Sequence, residues 1–100
     1  MPNVRFHPEA KQEIYAAGDY IEEQRDDYGE FFGREVRQAL KKISEDPDRR
    51  GVRFCGYRKY LTHRFKYLIW YRERSDGIYV IAAHHSARKP GYWKHRISDE

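Results

Sequence analysis

Two apolar runs near the end of the chain, separated by a turn sequence, most constrain the fold. Arg64–Arg72 is dense in Phe, Tyr, Leu, Ile and Trp, and Ile78–His85 is rich in Ile, Val and Ala. Between them lies Ser75-Asp76-Gly77, and an Asp-Gly pair favours a type I′ hairpin turn with positive φ at both central positions. The sequence therefore predicts a largely buried antiparallel β-hairpin that the preceding chain must cover on one face.

Two amphipathic helices are predicted upstream of this hairpin. Pro8 suits the first position of a helix, since its missing N–H costs nothing there. Apolar residues then recur at spacings of three and four, which gives each helix one apolar stripe. The stripes are Ala10, Ile14, Ala17 and Ile21, then Phe32, Val36, Ala39, Leu40 and Ile43. The polar segment 25–29 predicts a tight turn, and Pro47 predicts the end of the second helix.

Two more strands complete the predicted order. Val4–His7 indicates an edge strand, and Val52–Leu61 indicates a strand interrupted at Gly56. The order β–α–α–β–β–β predicts an α+β fold: one antiparallel sheet with an N-terminal helical hairpin packed on one face. One hundred residues suffice for a single domain, residues 1–100.

Alternation along Arg64–Arg72 predicts the two faces of the central strand. Phe65, Tyr67, Ile69 and Tyr71 share the face that we assign to the helices. The residues on the other face, which we expect to be concave and partly open, are Arg64, Lys66, Leu68, Trp70 and Arg72.

Charge is distributed unevenly along the chain. Residues 1–46 hold seven Lys/Arg and eleven Asp/Glu (net −4), whereas residues 47–100 hold thirteen and five (net +8), which together give +4. A basic half indicates an acidic partner, namely nucleic acid or an acidic protein segment, or else only a solvated surface. Cys55 is a lone cysteine, and no apolar run approaches the ~20 residues of a membrane span. The first residues do not show the apolar centre that a signal peptide has. We expect a cytoplasmic protein without membrane contact.

The basic tail 88–96 mixes cations with aromatic rings, a mixture that suits phosphates and stacked bases or an acidic peptide. Alternatively, Tyr92 and Trp93 only close the core. His84 and His85 point to opposite faces of a strand, so they do not bind one metal together. Zinc-ligand spacing and phosphate-binding motifs are absent from the sequence, so we expect no metal and no cofactor.

A metal-free ribonuclease needs a base, an acid and a cation. His85, Tyr92 and Arg88 could fill these three roles. Many basic proteins that contain histidine offer such a trio, so composition alone indicates this activity weakly.

Several blocks, in this order and spacing, carry a family resemblance. They are Glu-Asp-Pro at 45–47, Tyr-Arg-Lys-Tyr at 57–60, the pattern Arg-Phe-x-Tyr-x-Ile-x-Tyr at 64–71 and the segment 83–93 with His-x-x-Arg-x-Pro-x-Tyr-Trp. Nearly the whole chain resembles the RelE/ParE superfamily, the toxins of bacterial type II toxin–antitoxin pairs. The resemblance implies a cognate antitoxin whose acidic, partly disordered segment wraps the toxin.

The superfamily has two branches with different targets. RelE-like members cleave mRNA on the ribosome with strand arginines and a C-terminal tyrosine, whereas ParE-like members inhibit DNA gyrase. Here Leu68 and Ser86 stand where the resemblance would place two RelE arginines, and only Tyr92 matches. ParE-like members often have two consecutive arginines after the histidine; here the first position is Ala87 and the second is Arg88.

We therefore expect a ParE-like toxin that inhibits gyrase without an enzymatic activity of its own and forms a hetero-oligomer with a ParD-like antitoxin. A RelE-like ribosome-dependent endoribonuclease and an inactive toxin that only binds antitoxin are the alternatives. The residues that we expect to contact the target are Arg88, Lys89, Tyr92, Trp93 and Arg96. Those that we expect to contact the antitoxin are Arg64, Lys66, Trp70 and Arg72.

Overall fold

The structure, a computed structural model, describes residues 3–89 and 91–99. Its elements in chain order are β1 (Asn3–Phe6), α1 (Pro8–Gln24), α2 (Tyr28–Glu45), β2 (Arg58–Leu61), β3 (Tyr67–Arg74), β4 (Gly77–His85) and a 3-10 helix (Lys94–Asp99). This order confirms the predicted α+β fold and the end of the second helix before Pro47. Neither α-helix combines the length and the apolarity that crossing a bilayer would require.

The four strands form one mixed sheet in the order β1-β4-β3-β2. β2 and β3 pair antiparallel, as do β3 and β4, whereas β1 lies at the edge and runs parallel to β4. The prediction of a purely antiparallel sheet is therefore wrong. Short turns fix the direction of the paired strands from β2 to β4, but some seventy residues separate β1 from β4, and such a connection allows either direction.

The turn between β3 and β4 differs from the predicted type I′ turn. The loop consists of Ser75 and Asp76, neither of which has a positive φ, while Gly77 opens β4 with φ 143°. A Cβ at Gly77 would overlap the carbonyl oxygen of Asn3. The glycine is therefore required twice, by its positive φ where the turn enters β4 and by the close approach of β1.

A tight turn with two positive φ values occurs instead within the interrupted strand. Cys55 and Gly56 have φ of 48° and 85°. They lie between Phe54 and Tyr57, whose backbones donate hydrogen bonds to each other. This confirms the predicted bend at Gly56.

The central strand begins three residues later than predicted. Lys66 has φ 58° and is outside the sheet ladder. The amides of Arg64 and Phe65 donate to the Glu35 carboxylate at 2.6 and 2.8 Å. Arg64 and Phe65 are thus held by α2, and Lys66 precedes β3. Arg64 and Lys66 therefore do not share a strand face with Trp70, although the sequence had indicated that they would.

Apolar clusters lie on both faces of the sheet. Towards the helices, Ile69 and Tyr71 pack with residues of α1 and α2, which confirms the predicted assignment; these partners include Ala10, Ala39 and Ile43. On the opposite face, Trp70 packs under Trp93 of the C-terminal segment together with Tyr57, Tyr79, Ile81 and Ala82. The prediction that this face is partly open is wrong at its centre, because the C-terminal segment covers it.

A β-bulge in β4 shifts the alternation of its two faces by one residue, ahead of His84 and His85. Trp70 pairs with Ala82 and Tyr71 with Val80, so Ile81 is the additional residue. Ile81 and Ala82 consequently pack in the same cluster, and the alternation of faces resumes after them.

Candidate binding surfaces

A carboxylate on α1 anchors the C-terminal segment. Arg96 donates from both terminal nitrogens to Glu13, at 2.8 and 2.9 Å, and the Tyr92 hydroxyl donates to the same carboxylate at 2.5 Å. The Ala83 amide donates to Glu13 at 3.1 Å, and Arg96 also donates to the Ile81 carbonyl at 3.1 Å. One side chain therefore joins α1, β4 and the segment that follows β4.

These contacts shift the pKa of each member. Burial by itself would raise the pKa of Glu13, but hydrogen bonds from Arg96, Tyr92 and the Ala83 amide outweigh it and lower the pKa. Burial and the adjacent Glu13 raise the pKa of Tyr92. The pKa of Arg96 is also raised, since Glu13 outweighs the opposing effect of burial. At neutral pH the cluster is thus an ionised pair with a neutral phenol.

Two residues predicted to contact the target lie inside the protein. Trp93 is 1% exposed and Arg96 is 4% exposed. Trp93 packs on Trp70 and Tyr57, while Arg96 is held by Glu13. Their predicted role as contact residues does not fit this burial, so both are structural residues that hold the segment in place.

The other three residues of the predicted target surface lie at the molecular surface. The Arg88 guanidinium lies 3.5 Å from the centre of the Tyr92 ring. The Arg88 side chain is 54% exposed, Tyr92 is half-buried and Lys89 is exposed. Arg88, Lys89 and Tyr92 form what we call the tail surface. Pro90, which belongs to the same motif, lies outside the described residues.

His84 and His85 have the opposite orientations that their adjacency predicts. His84 is 3% exposed; its Nε2 accepts from the Trp70 indole at 2.9 Å and its Nδ1 donates to the His85 carbonyl at 2.8 Å. Burial lowers the pKa of His84, in keeping with a neutral ring. His85 is exposed, and its Nδ1 accepts from the Ala87 amide at 3.0 Å.

Among the three candidates for ribonuclease chemistry, Tyr92 is not placed to act as the general acid. Its hydroxyl is committed to Glu13, and its raised pKa opposes ionisation. A general acid that must release its proton near neutral pH works best with a pKa near that pH. The trio His85, Arg88 and Tyr92 therefore lacks an effective acid in this arrangement.

A second basic surface surrounds the cluster on the sheet face opposite the helices. Four cations lie over aromatic rings there, at 4.1–5.7 Å from the ring centres. The pairs are Lys59 with Trp70, Arg72 with Tyr57, Arg74 with Tyr79 and Lys94 with Phe54. We call these four cations the sheet-face cations. Such an arrangement offers positive charge beside apolar ring surface, which suits an acidic segment with apolar side chains.

The predicted antitoxin-binding residues divide between different parts of the molecule. Arg72 belongs to the sheet-face cations, whereas Trp70 is 5% exposed beneath them. Arg64 lies on the helical side, 5.1 Å from the ring centres of both Tyr28 and Phe31. Lys66 is exposed in the loop before β3. The structure thus does not bring these four residues together in one surface.

A group with metal-ligand chemistry lies where α1 begins. His7, Glu9 and Asp99 bring ligand atoms within 4.8 Å of one another. However, Nδ1 of His7 accepts from the Glu9 amide at 3.1 Å, and Nε2 lies 2.9 Å from Asp99. The proton of the neutral ring is therefore on Nε2, where it donates to Asp99. This geometry caps α1 and ties down the 3-10 helix.

The sequence contained a signal for the anchor that we did not use. Glu13 lies three residues after Ala10 and four before Ala17, on the apolar stripe of α1 itself. A carboxylate on a buried stripe predicts a cationic partner, because an unpaired buried charge is costly. Lys59, Arg74 and Lys94 were also missed, since their shared surface depends on the register of three strands and the path of the tail.

The fold and these two surfaces define a class of protein: a small α+β domain that carries basic and aromatic residues on its exterior. The family model described as "ParE toxin of type II toxin-antitoxin system, parDE" matches residues 4–90. The chain belongs to this family, which confirms the resemblance seen in the sequence. It is therefore the toxin of a type II toxin–antitoxin system, and an antitoxin is its implied partner. A comparison with curated proteins gives no significant match.

Proposed function

We propose that this toxin inhibits DNA gyrase through the tail surface and is neutralised by a ParD-like antitoxin that binds the sheet-face cations. Membership of the ParE toxin family over residues 4–90 is the observation that carries the proposal. Gyrase inhibition itself is inferred from that membership.

The geometry of the tail supports its use as a contact surface. Glu13 accepts hydrogen bonds from Tyr92 and Arg96, so contacts within the chain fix the position of the Tyr92 ring. Preordered side chains lose less entropy on binding. Arginine and tyrosine are also the residue types that most often dominate binding energy. Arg88 and Tyr92 are stacked on each other and together offer a charge, a ring and a defined orientation.

The sheet-face cations support binding of an acidic antitoxin segment. Arg72 and Arg74 are two residues apart on β3 and share one face, while Lys59 is paired with Trp70 on the neighbouring strand. Lys94 extends the row onto the covering segment. β2 is the edge strand beside them, and its outer edge is suited to adding a strand from a partner.

The decisive experiment is a supercoiling assay with purified gyrase. We expect the toxin to block supercoiling, and we expect Arg88→Ala to raise the half-inhibitory concentration by roughly tenfold or more, the size of effect typical of a central arginine. Arg34→Ala is the matched control, because Arg34 is similarly exposed (59%) on α2. Adding the antitoxin should restore supercoiling.

Two outcomes would contradict the proposal. Folded toxin that leaves supercoiling unchanged would remove gyrase as the target. An Arg88→Ala variant as potent as Arg34→Ala would remove the tail surface. Mapping mRNA ends after induction tests the ribonuclease alternative, and cleavage within minutes would support it.

A further inference from the structure

A cleft lies where α1 passes the start of β3 and the end of β4, and it shares only Arg88 with the tail surface. Its volume is about 310 Å³, at the lower end of the range for pockets that hold small molecules. Its polar lining consists of Glu13, Tyr20, Tyr67, His84, His85 and Arg88. The hydrogen bonds that these side chains can still make determine what kind of molecule the cleft can hold.

The two strongest acceptors that line the cleft are already occupied. Each oxygen of Glu13 accepts two hydrogen bonds, one of them from Arg96. Both nitrogens of His84 are bonded as well. The charge of Glu13 is matched by that of Arg96, so an anion that enters the cleft meets a neutralised pair instead of a free carboxylate.

Three other side chains of the cleft still have hydrogen-bond donors to offer. The Tyr67 hydroxyl has no hydrogen-bond partner among the described residues, and burial and the neighbouring Tyr20 raise its pKa, so it keeps its proton. Because Nδ1 of His85 accepts from the Ala87 amide at 3.0 Å, the proton of the neutral ring is on Nε2. The Arg88 guanidinium lies 4.0 Å from the carboxylate beside it, too far for a hydrogen bond.

Contacts with neighbouring rings hold these three donors in position. The Tyr67 ring packs edge-on against Phe32 and His85, with 5.0 and 5.6 Å between ring centres. The Arg88 guanidinium lies 3.5 Å from the centre of the Tyr92 ring. Side chains that are positioned in this way lose less conformational entropy when a ligand binds.

We propose that this cleft binds a small phosphomonoester. Arg88 supplies the positive charge and a planar fork that matches phosphate oxygens, while Nε2 of His85 and the Tyr67 hydroxyl donate to the same group. A phosphomonoester has three terminal oxygens, one for each donor, whereas a carboxylate has two. Ala17 and Ala83 line the remaining wall and give the organic part of the ligand an apolar surface. The proposal does not depend on gyrase inhibition.

Isothermal titration calorimetry of the purified chain with phenyl phosphate tests the proposal. We expect a dissociation constant below ~1 mM, which corresponds to a modest binding free energy. Inorganic phosphate should bind more weakly, because it lacks the ring that would cover the apolar wall. Benzoate should bind more weakly by about tenfold, because it offers one oxygen fewer and a smaller charge.

Substitutions at two of the donors locate the site. Tyr67→Phe keeps the ring packing and removes only the hydroxyl, and it should weaken phenyl phosphate binding by about tenfold, the effect typical of a hydrogen bond to a charged group. Tyr15→Phe is the matched control, because Tyr15 is an exposed tyrosine of α1 that does not line the cleft. Arg88→Ala should weaken binding further than Tyr67→Phe, with Arg34→Ala as its control. Circular dichroism and urea unfolding verify that each variant is folded.

Three outcomes would overturn the proposal: no binding at about 10 mM phenyl phosphate, folded Tyr67→Phe and Arg88→Ala variants that bind as the parent does, or benzoate that binds as tightly as phenyl phosphate. A single-stranded oligonucleotide without terminal phosphates that displaces phenyl phosphate would assign the cleft to the backbone of a nucleic acid instead. All of these measurements are made without gyrase, so their outcome is separate from that of the supercoiling assay.

Discussion

At the scale of single residues, Glu13 connects parts of the chain that are distant in sequence. Its carboxylate contacts Arg96, Tyr92 and the Ala83 amide, and its side chain is only 17% exposed. Glu13 lies in the second turn of α1, near the helix N-terminus, where the helix dipole favours an acid. The anchor itself depends on the tail returning to α1.

Glu13→Gln should release the C-terminal segment. Removing the charge of Glu13 leaves the buried Arg96 with only the partly exposed Glu9 carboxylate, 3.3 Å from its Nε. We expect a loss of about 2–4 kcal/mol in the free energy of unfolding. Urea unfolding at pH 7 measures this loss, with Glu23→Gln on the exposed side of α1 as the control. Equal stability of the two variants would show that the anchor is not needed.

The lowered pKa of Glu13 also predicts that the stability of the fold decreases at acid pH. The pKa of Glu13 is lower in the folded protein than its ordinary value of 4.5. The stabilisation is therefore complete above pH 4.5 and is lost as the pH falls through the folded-state pKa. The parent should lose more stability than Glu13→Gln between pH 5 and pH 3, as followed by urea unfolding at each pH.

The lowered pKa of His84 predicts a second change of stability with pH, just below pH 6.5. Burial lowers its pKa below the ordinary 6.5, and protonation at Nε2 would break the hydrogen bond from Trp70. Its contribution to stability is complete above pH 6.5 and falls as the pH drops towards the folded-state pKa. Ring NMR signals should show His84 titrating below its ordinary pKa of 6.5, with the Trp70 indole signal moving in parallel. Titration of His84 at or above pH 6.5 would contradict this prediction.

At the scale of elements, the turn between α1 and α2 is stabilised by a side chain of α1 and not by a residue of the turn itself. Asp27 precedes α2 with φ 73° and makes no side-chain cap. Glu22 of α1 accepts from the Asp27 and Gly29 amides instead, both at 3.0 Å. The structure confirms the tight turn that the sequence predicted, and the cap of α2 comes from a side chain of the preceding helix.

Glu22→Ala should therefore loosen the start of α2. Loss of an N-terminal cap costs about 1 kcal/mol, and the solvent-exposed position of Glu22 keeps the effect at that size. Hydrogen exchange should quicken at the amides of residues 27–31, while Glu23→Ala leaves them protected. Unchanged exchange in Glu22→Ala would mean that water satisfies these amides equally well.

At the scale of the whole molecule, charge is divided between two layers. The helical hairpin lies in the acidic half of the sequence, and the sheet and tail lie in the basic half. This separation predicts electrostatic steering of an acidic partner towards the sheet.

We expect the double variant Lys59→Glu/Lys94→Glu to slow antitoxin association by about tenfold at low salt, since charges at an interface rim act mainly on the association rate. Lys41→Glu, an exposed lysine on α2, is the control for net charge. Stopped-flow binding at low and high salt measures the effect, which should shrink as salt screens the charges. A loss that persists at high salt, or that is equal in the control, would argue against steering by this surface.

The sequence by itself determined the order and type of the elements and the family. Helical and strand periodicity arise from local geometry, which neighbouring residues encode. The tertiary structure decided the parallel pairing of β1, the covering of Trp70 by Trp93 and the meeting of Glu13 with Arg96. These contacts join residues up to some eighty positions apart. Their formation depends on how whole faces pack, because no local pattern fixes which distant side chain fills a given space.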